Sequence, residues 1–184
     1  DAELTYTLAR NYLEMGYEDK AIPYYVKAVQ LNDNKSNWLF ELGLLYYNNN
    51  NFKNAVLFFN YVVEKGYIAN NDFNENLGFD YLYSGEYEKG EKLLLEIYER
   101  RPGEKDILRD MAQAYYDSRK YDKSLELCQK LLEADKNDGK ALYQAGMCFQ
   151  KKGQVERGQK MCDRAIELDP SLGGLKSKKL APGM

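Results

Sequence analysis

The chain has 184 residues, enough for one ordinary domain, with 26 Lys and Arg against 29 Asp and Glu, no His, 44% hydrophobic residues and a formal net charge of -3. That balance excludes a chain disordered by composition and is too weakly basic to hold nucleic acid by phosphate neutralisation alone, and the apolar runs are too short for a bilayer-spanning helix. The missing His removes the usual neutral-pH base and the commonest metal ligand, which sets enzyme readings at a disadvantage.

Sliding the sequence against itself gives a period of 34 residues, and five blocks align. The first carries Leu8-Ala9 and Tyr12, then Gly16, Ala21, Tyr25 and Ala28; the second carries Leu42-Gly43 and Tyr46, then Asn50, Phe52, Ala55, Phe59 and Val62. The third has Leu77-Gly78 and Tyr81, then Gly85, Tyr87, Gly90, Leu94, Ile97 and Pro102, and the fourth has Met111-Ala112 and Tyr115, then Tyr121, Ser124, Cys128 and Leu131. The fifth is Ala145-Gly146 and Phe149, then Gly153, Val155, Gly158, Cys162, Ala165 and Pro170. Apolar residues spaced by three and four predict two amphipathic helices per block, each about 14 residues long. Gly16, Gly85 and Gly153 fall between them, where a left-handed residue ends the first helix; Asn50 is the best non-Gly substitute, and Arg119 stands there in the fourth block. The small columns at 9, 43, 78, 112, 146 and at 21, 55, 90, 124, 158 mark places where two helix backbones approach closely.

These residues resemble the tetratricopeptide repeat, with its Leu-small-x-x-Tyr box, turn Gly, aromatic, second small residue and closing Pro. The family's opening Trp is absent from its column, where Thr5, Leu39, Asn74, Leu108 and Leu142 stand. The resemblance covers residues 2–170 and implies an all-α, right-handed superhelical solenoid of helix hairpins. The expected repeats are 2–35, 36–70, 71–104, 105–138 and 139–170, with 171–184 as a tail or partial capping helix over Met161, Ala165 and Leu168. It implies a non-catalytic adaptor whose first helices line a concave groove that receives a protein or peptide segment. Transferring the register along those helices gives Tyr6 and Arg10, then Phe40, Leu44 and Tyr47, then Glu75 and Phe79, then Arg109, Gln113 and Tyr116, then Tyr143 and Met147. Aromatics among scattered charges suit an interface, although some of them would also serve packing between repeats.

Family members that hold Hsp70 and Hsp90 tails use a carboxylate clamp of Lys, Asn and Arg on successive first helices. Here those places hold Tyr6, Arg10, Glu41, Asp72 and Asn76, so these chaperone tails are not expected partners. Residues 1–138 carry a net charge of -8 and residues 139–184 a net of +5, a reversal that suits an acidic partner or an end-to-end contact, and nucleic acid is not expected. The alternative function is an assembly module that self-associates through its ends or forms part of a longer repeat protein; an enzyme would need a separate domain. No phosphate loop or metal-spaced set appears, so no cofactor or metal is expected. Cys128, Cys148 and Cys162 read as buried small hydrophobes. No charged-then-apolar leader follows Asp1, and the expected compartment is cytoplasmic, with export left open because an upstream leader would be unseen.

Overall fold

The computed structural model describes residues 1–174. Among these, ten α-helices follow in order: α1 (Ala2–Glu14), α2 (Glu18–Leu31), α3 (Ser36–Asn48), α4 (Phe52–Glu64), α5 (Asn71–Ser84), α6 (Tyr87–Arg100), α7 (Asp106–Asp117), α8 (Tyr121–Ala134), α9 (Gly139–Lys151) and α10 (Val155–Leu168). A 3-10 turn (Pro170–Leu172) follows α10, and the described residues contain no strand. The fold is all-α. It divides into two compact units, residues 1–93 and the residues from Leu94 onward, with the boundary inside α6.

Each turn from a first to a second helix closes in the same way. The residue at the bend has positive φ: 78° at Gly16, 57° at Asn50, 92° at Gly85, 60° at Arg119 and 87° at Gly153. The next amide then reaches back five residues to the carbonyl of the aromatic column, at 2.9 Å for Tyr17 to Tyr12, 2.8 Å for Asn51 to Tyr46 and for Glu86 to Tyr81, 2.7 Å for Lys120 to Tyr115 and 2.9 Å for Gln154 to Phe149. This satisfies a carbonyl that the helix end would leave without a partner. Asn50 and Arg119 adopt the glycine conformation because the hydrogen bond and the pairing of the flanking helices impose it.

In the first unit α1 packs on α2 and α3 on α4, while α2 meets α3 and α4 meets α5. Its core gathers Tyr25, Ala28, Trp38, Leu42, Phe59, Val62 and Phe73. In the second unit α7 pairs with α8 and α9 with α10, and α8 and α7 both touch α9. The small columns do bring helices together. A Cβ on Gly90 would stand 2.6 Å from the Gly78 carbonyl oxygen, and one on Gly43 2.7 Å from the Phe59 ring. Leu172 is buried with Tyr143, Cys162 and Ala165, so the 3-10 turn covers part of the α9–α10 core; the remainder of the expected cap, residues 175–184, lies outside the described residues.

Candidate interaction surfaces

The first-unit stripe is largely engaged within the protein. The Tyr6 ring stacks on Trp38 at 4.5 Å and 14°, and its hydroxyl donates to Glu41 at 3.0 and 3.2 Å. Tyr25 donates to the same carboxylate at 2.7 Å. Burial first, then bonding to Glu41, pushes the Tyr25 phenol up, which keeps it a donor. Glu41 is thus a half-buried acceptor held by two phenols. Arg10 is exposed and bonds Glu14 at 3.3 Å.

Phe40 lies 5.8 to 5.9 Å from the rings of Phe59, Tyr67 and Phe73. Phe79 is buried, and Leu44 is half-buried against the same core. Tyr47 meets the edge of Phe52 at 6.0 Å, and Phe52 stacks on Tyr83 at 4.8 Å. Glu75 is half-buried. Tertiary packing therefore engages part of this aromatic surface, while Tyr6, Phe40, Leu44 and Tyr47 remain half-buried.

The second unit differs. Arg109, Gln113 and Tyr143 line one recess of about 310 Å³, together with Asp106, Asp110, Lys140 and Gln144 around apolar Ala112, Cys128, Leu131, Ala141 and Leu172. Helices α7 and α9 supply the polar groups, α8 supplies Cys128 and Leu131, and the 3-10 turn supplies Leu172. Arg109 is fixed from both sides, at 2.8 Å to Asp106 and 2.7 Å to Asp138, and Asp138 also caps α9 by accepting from the Ala141 amide at 3.0 Å. The Arg109 charge is thereby compensated before any ligand arrives. Its Nε and the Gln144 Nε2 are buried without an acceptor. Tyr116 and Met147 are half-buried and do not line this recess.

Cys128 forms part of the wall, but burial pushes its thiol up to about 12, so at neutral pH it is a small apolar surface and not a nucleophile. Lys140, Gln144 and Leu172 escaped the sequence reading of the site. Lys140 and Gln144 are four apart on the helix that carries Tyr143, a spacing that would have placed them on one face. Leu172 gave no such signal, since only its fold-back onto α9 brings it there.

Sequence models of the tetratricopeptide repeat match residues 2–35, 81–146 and 139–172, together more than half of the chain. No curated protein matches its sequence. Among solved structures the chain is similar to YrrB, described as a TPR protein with an unusual peptide-binding site, at 22% identity and a TM-score of 0.60, with 98% of this chain and 93% of that chain covered. It is also similar to MamA from Desulfovibrio magneticus RS-1, at 19% identity and a TM-score of 0.64, covering 92% of this chain and 96% of that one. At such identities the likeness is one of fold. With five identically closed hairpin turns, small columns at the helix crossings and these matches, the chain belongs to the tetratricopeptide repeat family, a family of non-catalytic protein-interaction modules.

Proposed function

We propose that the chain is a scaffold of five repeats, 2–35, 36–70, 71–104, 105–138 and 139–170, that binds an extended protein or peptide segment on its first-helix faces and seats one side chain of that segment in the recess between α7, α8 and α9. The observation that carries this reading is the convergence of three stripe residues, Arg109, Gln113 and Tyr143, on one concavity of about 310 Å³, large enough to admit a side chain. The peptide-binding site named for YrrB, a chain of similar fold, supports the same use of the scaffold. An apolar floor with a polar rim is the usual composition of a ligand recess. Because Arg109 and Lys140 face Asp106 and Asp110 around the rim, an uncharged side chain suits it better than an acidic one. Affinity is expected on the order of micromolar, since ordering a flexible segment offsets much of the contact energy.

The test is a random peptide display selection on the chain, followed by NMR mapping of the selected peptide. Shifts concentrated at Arg109, Gln113, Lys140 and Gln144, and lost with Gln113→Trp, which fills the recess from an exposed position, are the expected result. A footprint on the second helices, unchanged by that substitution, removes the reading.

A further inference from the structure

Gln144, in the wall of the recess between α7, α8 and α9, carries an amide nitrogen that is buried without an acceptor. Its polar neighbour is the Cys148 thiol one turn along α9, a weak acceptor whose own proton goes to the Ser124 hydroxyl at 3.3 Å. A donor shut away in this manner costs stability until something accepts from it. The end of a glutamine side chain turns about a broad, shallow torsion, so the Gln144 amide can present its nitrogen to the recess without leaving its rotamer. Arg109 also has a nitrogen without an acceptor, Nε, but its two Nη atoms are held by Asp106 at 2.8 Å and Asp138 at 2.7 Å. That side chain is locked and its charge already compensated. Around the rim two cations, Arg109 and Lys140, stand among two acidic side chains, Asp106 and Asp110.

A group seated here has to satisfy a donor and leave these charges balanced. An aliphatic side chain would seal the Gln144 amide from water with nothing to bond it. A carboxylate offers acceptors only and adds negative charge beside Asp106 and Asp110, while an ammonium or guanidinium offers donors only and adds positive charge beside Arg109 and Lys140. A hydroxyl has a single proton and engages one end of the amide at a time. A carboxamide meets every requirement: its carbonyl accepts from Gln144 Nε2, its NH2 returns one proton to Gln144 Oε1, and the second proton is left for a rim carboxylate. Asp110 holds on α7 the same register place as Gln144 on α9, two residues before the small column, and lines the same recess. We infer that the recess is selective for a carboxamide, that is, for an asparagine or glutamine side chain of the bound segment. This rests on the reading that the recess seats a side chain of a partner segment, and adds which kind. Ala112, Leu131 and Leu172 supply apolar wall for the methylenes of that side chain. A site whose polar groups the wrong ligand leaves unpaired discriminates more sharply than an apolar one that measures size alone.

Butyramide reproduces the glutamine side chain, and 2-pentanone keeps its shape and acceptor but removes the donor. NMR titration of the chain with these two, and with butyrate and butylammonium, up to about 100 mM reads the selectivity directly, since fragments of this size bind in the millimolar range. Shifts centred on the amides of Lys140, Ala141 and Gln144 are expected, with butyramide bound at least about fivefold more tightly than the other three. Gln144→Leu should bring butyramide and 2-pentanone level. Asp110→Asn, at an exposed position, should narrow the preference over butyrate with helicity unchanged. Equal affinity of the unaltered chain for butyramide and 2-pentanone overturns the inference, as does tighter binding of either charged compound. So does butyramide that leaves these amides unshifted at the highest concentration. A display-selected peptide that seats a leucine or serine in the recess keeps the recess as a site and removes the carboxamide preference. A selected peptide whose footprint avoids the recess, alongside selective butyramide binding, removes the segment-binding reading instead.

Discussion

A methyl group on Gly158 would stand 2.3 Å from the carbonyl oxygen of Gly146, and one on Gly146 would stand 2.7 Å from the carbonyl oxygen of Gly158. The obstacle in each case is backbone, which cannot rotate aside. Gly158→Ala is therefore expected to destabilise the fold by about 1–3 kcal/mol, with separation of α9 from α10 outweighing the roughly 1 kcal/mol that Ala gains over Gly in a helix. Gly103→Ala, with nothing within 4 Å of its Cβ, is the control and should change stability little. Urea unfolding of the two variants decides the matter; equal midpoints would mean that the helices do not touch at this column.

Asp80 is fully buried on α5, neither carboxylate oxygen has a hydrogen-bond partner, and burial raises its pKa to about 8. In the unfolded chain the group ionises near pH 4. Between those values the folded state holds the extra proton. The stability contributed by this group is therefore fully present below about pH 4, is lost as pH rises toward 8, and changes no further above it. One pKa unit corresponds to about 1.4 kcal/mol, so the whole decline is on the order of several kcal/mol. Asp80→Leu, which places in α5 the residue that α3 has at Leu45, should raise stability at pH 8 by a comparable amount and flatten the slope. Thermal melts from pH 4 to pH 9 will show this, and parallel curves for both proteins would contradict it.

Arg119 and Asn50 occupy the left-handed bend at φ 60° and 57°, where three other repeats have Gly. A side chain there costs about 1 kcal/mol for most residues and less for Asn, whose short amide tolerates the region. Arg119→Gly should accordingly stabilise the protein by a few tenths to about 1 kcal/mol, and Asn50→Gly by less. Chemical denaturation of both variants tests the ranking as well as the sign; a destabilised Arg119→Gly would show that the guanidinium contributes more than the bend costs.

Pro23 is the sixth residue of α2 and is exposed. It removes one backbone hydrogen bond and crowds the carbonyl of Asp19, effects that together reach about 3 kcal/mol in a helix interior. Because no packing is lost with the ring, Pro23→Ala should raise the melting temperature by several degrees. An unchanged melting curve would indicate that the helix is already bent to relieve the clash.

The hairpin architecture was legible because its determinants are local or periodic. Gly78 and Gly90, or Gly146 and Gly158, are small for a reason that repeats every block, and the bend at Arg119 follows from register even though Arg itself gives no turn signal. The candidate site was legible only in part. Phe40 shared its stripe with Leu44 and Tyr47, but its neighbours include Tyr67, which lies in the longer α4–α5 connection, and no periodicity foretells that contact. The recess needed Leu172 and Gln144 to meet across elements. Asp80 could have been flagged from the register, since Leu45, Ala114 and Cys148 share its column; its lack of any partner could not.

The connection between α4 and α5 is pinned at both ends and exposes Ile68 between them. Tyr67 packs against Phe40 and Phe73, Asn70 caps α5 by accepting from the Phe73 amide at 2.8 Å, and Ile68 projects almost entirely into solvent. A protease that recognises aliphatic residues therefore has one accessible peptide flanked by two anchored ones. Thermolysin should make its first cut beside Ile68, and the fragments should stay associated through the packing of α4 on α5. The same link is the natural place to splice in a tag or reporter, because residues added beside the exposed Ile68 lengthen a connection and leave the helix contacts on either side intact.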